Sequence, residues 1–399
     1  MSAYTFSAGK RDVRFFSLPE VRVFLISLAH GVNDMYSAFL PTFIPYVKAN
    51  LGLDYALSGA LSLIVGLCHI VVQPVMGYMA DRMRRPWLIV AGPLLCGAGA
   101  VMIPNAGSYA GALTFAALWG LGSALYHPQG TGGVGYVSRP ERLPFSLTLF
   151  NILGTLGSML SPIVAVSVAG WLGYRGLWVA LLPPALLAPM VILSMPTLRE
   201  SSDVVLAPRS GFVRDFLSMF WMLSPLCAVS FIRDLIFQGV RFFLPLKMAA
   251  DGGSLDEIGA TLFLVTLGGT LAMIPMERLA RRVSFKRILV MSMLLGSALL
   301  AGGAATRGGA STACYVGGVS CVYATLPLTV FMAQRLLPQA RSVASSVVAG
   351  LAWGLSNAVL YPMGMLADAL GIRAAMITFA LLPLAAPLLL LTPTFRRLQ

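Results

Sequence analysis

Twelve apolar runs, joined by short polar breaks, dictate what this chain can fold into. They lie near 23–46, 55–78, 87–105, 110–135, 145–168, 177–196, 216–246, 256–275, 288–305, 312–333, 343–366 and 374–393. A helix needs roughly 20 apolar residues to cross the hydrocarbon layer of a bilayer. No water is present there to bond the backbone, so such a run must bond its own polar groups as a helix. Composition agrees: the 399 residues are 57% hydrophobic and 11% charged, whereas a soluble domain is about 25% charged. The expected fold is an all-α membrane protein of twelve transmembrane helices, a lipid bilayer its first partner.

The net charge of +13 would suit a nucleic-acid binder, but its placement argues against one. With the N-terminus inside, the outer side receives Lys48, Arg175, Lys247, Arg307 and Arg373. Arg233 and Arg241 fall within segment seven, and all the other Lys and Arg of the 28 lie on the inner side. Positive charge of this bias marks the cytoplasmic face, so both termini are expected in the cytoplasm and no nucleic acid is expected. The apolar start follows a charged Met1–Arg22 and has no small-residue cleavage site, so no cleavable signal peptide is expected. Cys68, Cys96, Cys227, Cys314 and Cys321 lie in apolar runs without metal-ligand spacing and read as small core residues.

Against this background, ionisable residues inside the spans are the informative ones, because charge in hydrocarbon is costly and marks function. Segment one carries His30 and Asp34, four apart and so on one helical face. Segment seven carries Arg233, Asp234, Gln238 and Arg241. Asp234, Gln238 and Arg241 share a stripe, and Arg233 points about 100° away. Arginine is always charged and forks onto carboxylate or phosphate. Two of them in a membrane read either as receptors for an anionic or zwitterionic substrate or as partners of Asp34 or Asp234. Arg241 also lies where it can snorkel to the outer surface.

His127 follows Tyr126 in segment four, and His69 in segment two reads as a packing residue. Histidine titrates near neutrality, which makes His30 and Asp34 the candidates for proton coupling, with His127 a proton or substrate contact. His30, Asp34 and His127 are also metal-ligand types, but no spacing joins them; no metal and no cofactor are expected. Trp353, Asn357 and Tyr361 form a four-residue step in segment eleven that can line a cavity or pack helices. Small residues over 151–158 in segment five permit close helix approach.

The chain repeats at a shift of about 200. Asp34 matches Asp234, Pro45 matches Pro245, Pro162 matches Pro362, and Gly173-Tyr174-Arg175 is echoed by Gly371-Ile372-Arg373. Two parallel six-helix halves follow: 1–198, a cytoplasmic linker over 199–215, and 216–399.

The loop Gly77-Tyr78-Met79-Ala80-Asp81-Arg82-Met83-Arg84-Arg85 resembles the signature loop of the major facilitator superfamily, with Arg84 where the family usually has glycine. His30 with Asp34-Met35-Tyr36 and Leu40-Pro41, Tyr126-His127-Pro128, and Gly364-Met365-Leu366-Ala367-Asp368 resemble its fosmidomycin-resistance type of drug exporter. The resemblance implies two pseudo-symmetric bundles, with helices one, four, seven and ten lining a central cavity. It implies gating by Gly77, Asp81, Arg82 and Arg85, and the polar residues read above within the spans supply the candidate substrate contacts: Asp34, His127, Tyr126, Arg233, Asp234, Gln238, Arg241, Trp353, Asn357 and Tyr361. It further implies a monomeric, multi-pass carrier in the bacterial inner membrane that exchanges a small-molecule substrate for protons. Import of an organic anion or metal chelate by the same fold is the alternative. No nucleophile–base pair is legible, so no enzyme is expected.

Overall fold

The computed structural model describes residues 18–80, 83–198, 212–280, 282–336 and 346–389. Among these there are helices and no strands. The first half contains α1 (Pro19–Asp34), α2 (Phe39–Leu51), α3 (Tyr55–Leu67), α4 (Gln73–Ala80), α5 (Trp87–Met102), α6 (Tyr109–Val137), α7 (Leu143–Leu172) and α8 (Leu182–Ser194). The second half contains α9 (Phe212–Ala250), α10 (Leu255–Met273), α11 (Met276–Ala280), α12 (Phe285–Ala305), α13 (Gly308–Tyr323), α14 (Leu326–Leu336), α15 (Ala352–Leu370), α16 (Ile372–Leu381) and α17 (Ala386–Leu389). The linker expected over 199–215 lies mostly outside the described residues, and its last four, Phe212–Asp215, already belong to α9.

Ten helical stretches are long and apolar enough to cross a membrane. Two further long helices, α6 and α15, lie where the fourth and eleventh spans were expected but miss that measure. They carry His127 and Gln129, and Asn357 and Asp368, polar side chains that dilute their apolarity. Large apolar side chains such as Leu186, Leu193, Ile274 and Met291 point outward and are exposed, a surface suited to hydrocarbon and not to water.

Helix one is broken between α1 and α2, immediately after Asp34. Pro41 has no N–H to offer the Ser37 carbonyl, and the chain passes the break in tight turns with Ser37 N donating to Asp34 O at 3.0 Å. The N–H of Ala38, freed from the ladder, donates to Ser161 Oγ at 2.8 Å. Short π-helical segments at Cys68–Val72 and Ser346–Leu351 interrupt the second and eleventh membrane helices. Such bulges recur at functional sites.

Among the described residues, the halves meet at the end of the bundle bearing the left-handed turns at Gly52, Gly173, Gly252 and Gly371, and inward from it as far as Gly66 against Gly354 and His69 against Trp353. There α3 packs along α15, α2 against α9, and α7 against α10. A Cβ on Gly59 would collide with the Leu360 carbonyl, and one on Gly364 with the Tyr55 carbonyl. The Asp368 carboxylate, from the end of α15, accepts from Tyr55 N at 2.8 Å and Ala56 N at 2.9 Å. It thus caps the N-terminus of α3 in the other half, where a negative charge is favoured. Towards the opposite end, that of Arg85, the first-half helix α1 packs on α5, α6, α7 and α8 of its own half.

At the Gly52 end, the Asp251 carboxylate collects three cations of the second half: Lys247 Nζ at 2.9 Å, Arg307 Nε at 3.1 Å and Arg373 Nη2 at 3.1 Å. Burial works to raise the Asp251 pKa, but Lys247, Arg373 and Arg307 outweigh it and hold the carboxyl below its ordinary range. A depressed acid stabilises the fold above its unfolded pKa of about 4 and loses that contribution as pH falls through its folded value. Asp251→Asn should therefore lower the Tm of the purified protein at pH 7. The gap to wild type should narrow as the assay is taken towards pH 3.

Candidate functional site

Asp34 is the last residue of α1. A carboxylate there meets the negative end of the helix dipole, inside a membrane, and needs partners. The fold supplies three. His30 Nε2 lies 3.4 Å from Oδ2, His127 Nε2 lies 3.4 Å from Oδ1, and Asn33 Nδ2 donates to Oδ1 at 3.1 Å. His30 comes from the preceding turn of α1, as its spacing predicts. His127 comes from α6, which packs on α1.

Both imidazoles are held from behind. His30 Nδ1 lies 2.8 Å from Phe150 O, and His127 Nδ1 lies 2.8 Å from Ser123 O. A carbonyl oxygen only accepts, so each Nδ1 carries the hydrogen. In the neutral ring, each Nε2 then turns a bare lone pair towards the Asp34 carboxylate. The His30 ring stacks on Phe150 with centroids 4.0 Å apart and on Tyr126 at 5.8 Å. A Cβ on Gly154 would strike the His30 ring, and one on Gly157 the Gly31 carbonyl. The small residues of segment five therefore set helix one and its histidine at their observed depth. One side of the group stays open: the Asp34 side chain is 21% exposed and that of His127 27%.

Segment seven divides its work. Arg233 is fully buried and forks onto its neighbour, Nε to Asp234 Oδ1 at 2.7 Å and Nη2 to Oδ2 at 2.9 Å. Its Nη1 donates to Thr329 Oγ1 at 2.7 Å. Arg233 and Asp234, expected as substrate contacts, are thus an internal pair in this structure. Arg241 differs. It is 6% exposed, so it does not snorkel. Its Nη2 donates to Ser37 Oγ at 3.3 Å, across the boundary between halves, and its guanidinium lies over Phe237 at 5.3 Å. Its Nε is buried and has no hydrogen-bond partner among the described residues.

The other expected residues distribute as follows. Gln238 Nε2 donates to Asn357 Oδ1 at 3.1 Å, and Gln238 Oε1 is unmet among the described residues. Trp353 packs edge-on against His69, centroids 4.4 Å apart. Tyr361 lies half-buried in the seam against Gly59. Tyr126 is fully buried and its hydroxyl donates to Ile26 O at 2.6 Å. It supports His30 from behind and has no face left for a substrate. His69, read as packing, is buried with Nδ1 on Gln73 Oε1 at 2.8 Å and Nε2 unmet among the described residues. Gly77 lies in α4, and Arg85 is exposed with its guanidinium 5.9 Å from the Trp87 ring centre. Asp81 and Arg82 lie outside the described residues.

Sequence reasoning passed over Asn33 and Ser37, whereas Gly154 lies in the small-residue stretch expected to let helices approach closely. Asn33 stands in the same polar stretch as Asp34, and Ser37 follows one turn later. The expectation that no metal is bound rested on spacing along the chain. The fold brings His30, Asp34 and His127 together, with one ligand atom of each within 4.8 Å of the others.

The sequence profile of the Major Facilitator Superfamily matches residues 26–360. The chain belongs to that family. Among its relatives in the superfamily is an uncharacterized MFS-type transporter, YfnC, of Bacillus subtilis (strain 168), 25% identical over 385 residues, which cover 94% of this chain and 93% of that one. The fosmidomycin resistance protein of Escherichia coli (strain K12) is 25% identical over 392 residues, covering 93% and 92%. Among solved structures, a bacterial homologue of the human lysosomal transporter Spinster, in an inward-facing and occupied conformation, superposes with TM-score 0.78 at 15% identity, over 92% of this chain and 95% of that one. A point mutant of the nucleoside transporter NupG gives 0.74 at 16%, over 92% and 98%. The superfamily fold, two pseudo-symmetric bundles, and multi-pass membrane residence as a transporter are thereby established for this chain.

Two outcomes check the division of roles. Arg233→Met leaves Asp234 buried and unpaired, and should destabilise by about 3–5 kcal/mol. The double variant Arg233→Met/Asp234→Leu should recover most of that loss in denaturation of the purified protein. Tyr126→Phe removes one buried hydrogen bond, at a cost of about 0.5–1.5 kcal/mol, and should leave the dissociation constant of any transported ligand unchanged.

Proposed function

We propose that this transporter exports a small polar anionic or zwitterionic compound in exchange for protons, by alternating access across the bacterial inner membrane. One observation carries the reading. Three residues after a carboxylate held between two histidines on the first half, Ser37 accepts from Arg241 of the second half, whose Nε is buried without a partner among the described residues. An unmet buried donor costs roughly 1–3 kcal/mol, which an anionic group of a substrate removes.

The basic residues support an orientation with the Arg85 end and both termini in the cytoplasm. The closed Gly52 end is then extracellular, and the conformation is inward-facing. In the proposed cycle, Asp34 and its histidines take up protons from outside and release them inside. Substrate arriving from the cytoplasm engages Arg241, while Asp34, His30 and His127 handle the protons. Protonation shifts the balance between conformations only to the extent that they differ in proton affinity. The break after Asp34 places the acid at the point where helix one can flex. Asp368, Gly59 and Gly364 close the outer seam, and Gly77, Asp81, Arg82 and Arg85 are proposed to gate the inner one, as the resemblance implies. The relative named for fosmidomycin resistance supports export over import, and the protein is proposed to act as a monomer.

The test uses proteoliposomes containing a pH-sensitive dye, with fosmidomycin as the first candidate substrate. A substrate gradient should drive protons in the opposite direction. Asp34→Asn should abolish that proton movement, and Arg241→Ala should weaken substrate binding about tenfold or more, as expected when one partner of a buried charged contact is lost. Proton movement in the same direction as substrate would sink the exchange reading, and coupled movement at the wild-type rate in Asp34→Asn would remove Asp34 from the coupling role.

A further inference from the structure

We infer that His30, Asp34 and His127 form a binding site for a divalent transition-metal ion of the zinc class. The inference stands on the geometry of these three side chains and does not depend on the direction or coupling proposed above.

Three observations converge. First, the donor set is two imidazole nitrogens and a carboxylate, a set that catalytic zinc sites use with one position left for water or ligand. Its ligand atoms lie within 4.8 Å of one another. Second, both histidines are already arranged as metal ligands are. Each gives its Nδ1–H to a backbone carbonyl, His30 to Phe150 O and His127 to Ser123 O, both at 2.8 Å. That bond fixes the tautomer and turns the Nε2 lone pair inward, the usual outer-shell support of a metal-bound histidine. Asn33 Nδ2 does the same for the carboxylate, at 3.1 Å from Asp34 Oδ1.

Third, the spacing leaves room for an ion. His30 Nε2 lies 3.4 Å from Asp34 Oδ2 and His127 Nε2 lies 3.4 Å from Asp34 Oδ1, longer than the 2.7–3.2 Å of a good N–H···O bond. With both rings neutral, two lone pairs face the carboxylate, an arrangement relieved either by a proton on Nε2 or by a cation shared among the three groups. The exposed flank of Asp34 and His127 gives the ion an entry path and leaves the remaining coordination to water or to an anionic ligand. Oxygen-preferring Mg²⁺ does not suit a site with two imidazoles.

Full-length protein purified in detergent and stripped with a chelator tests this by calorimetric titration with Zn²⁺, and by visible absorption of Co²⁺ as a second probe. Wild type should bind one Zn²⁺ per chain, with a rise in Tm, should give the visible bands of a Co²⁺ site of low coordination number, and should ignore Mg²⁺. His127→Gln and Asp34→Asn should each weaken Zn²⁺ binding at least about tenfold, the lower bound seen even for loss of an outer-shell partner. Substituting Cys68, Cys314 and Cys321 by serine should leave binding unchanged. Using two site variants guards against loss of structure in one, because a monodisperse elution profile of either keeps the comparison valid.

The inference is overturned if wild type shows no Zn²⁺ binding up to about 1 mM, a threshold of roughly −4 kcal/mol. It is equally overturned if His127→Gln and Asp34→Asn bind as wild type does, or if the cysteine substitutions abolish binding. Binding is read without any transport, so loss of the metal site leaves the proton-exchange proposal standing, and failure of proton exchange leaves the metal site standing.

Discussion

A carboxylate in hydrocarbon must be paired, and the structure follows from how each half meets that demand. The half-repeat puts Asp34 and Asp234 at matching places on matching helices. Asp234 is closed off by its own neighbour: Arg233 covers both oxygens, and Thr329 takes up the remaining guanidinium nitrogen. In this structure that pair is complete within its own half. Asp34 is met by two histidines and Asn33, and its flank is left open. One half thus keeps a closed ion pair where the other keeps an open acid–imidazole group.

The supporting frame is as specific as the site. Helix one reaches its depth because α7 presents Gly154 and Gly157 to it, and the His30 ring occupies the space that a Gly154 side chain would fill. Phe150 stacks closely on the imidazole and Tyr126 flanks it. The break after Asp34, set by Pro41, frees an N–H that Ser161 Oγ accepts. Aromatic stacking, a hydroxyl and two glycines therefore decide where one acid stands.

Much of this was legible in the chain. The apolar runs gave the helices, and the family resemblance gave the fold that the superfamily match bears out. The four-residue spacing of His30 and Asp34 gave their shared face. Other parts were not legible because they depend on distance across the fold. His127 is far from Asp34 in sequence, and no spacing rule joins them. Arg233 and Arg241 look alike as intramembrane arginines, yet one finds a neighbouring carboxylate and the other does not. Tyr126 adjoins His127 in sequence, yet its side chain is fully buried and its hydroxyl is spent on Ile26 O. Asn33 and Ser37 carry no charge and so gave no membrane anomaly to notice.

The seam between Gly59, Gly364 and their facing carbonyls has a mechanical consequence. Contacts at backbone range are dispersive, and a gap of about 0.5–1 Å already forfeits a quarter to a half of their attraction. The steric part of such a seam therefore fades over a short displacement. What resists a small tilt of one bundle against the other beyond that distance is the directional pair of bonds from Tyr55 N and Ala56 N to Asp368.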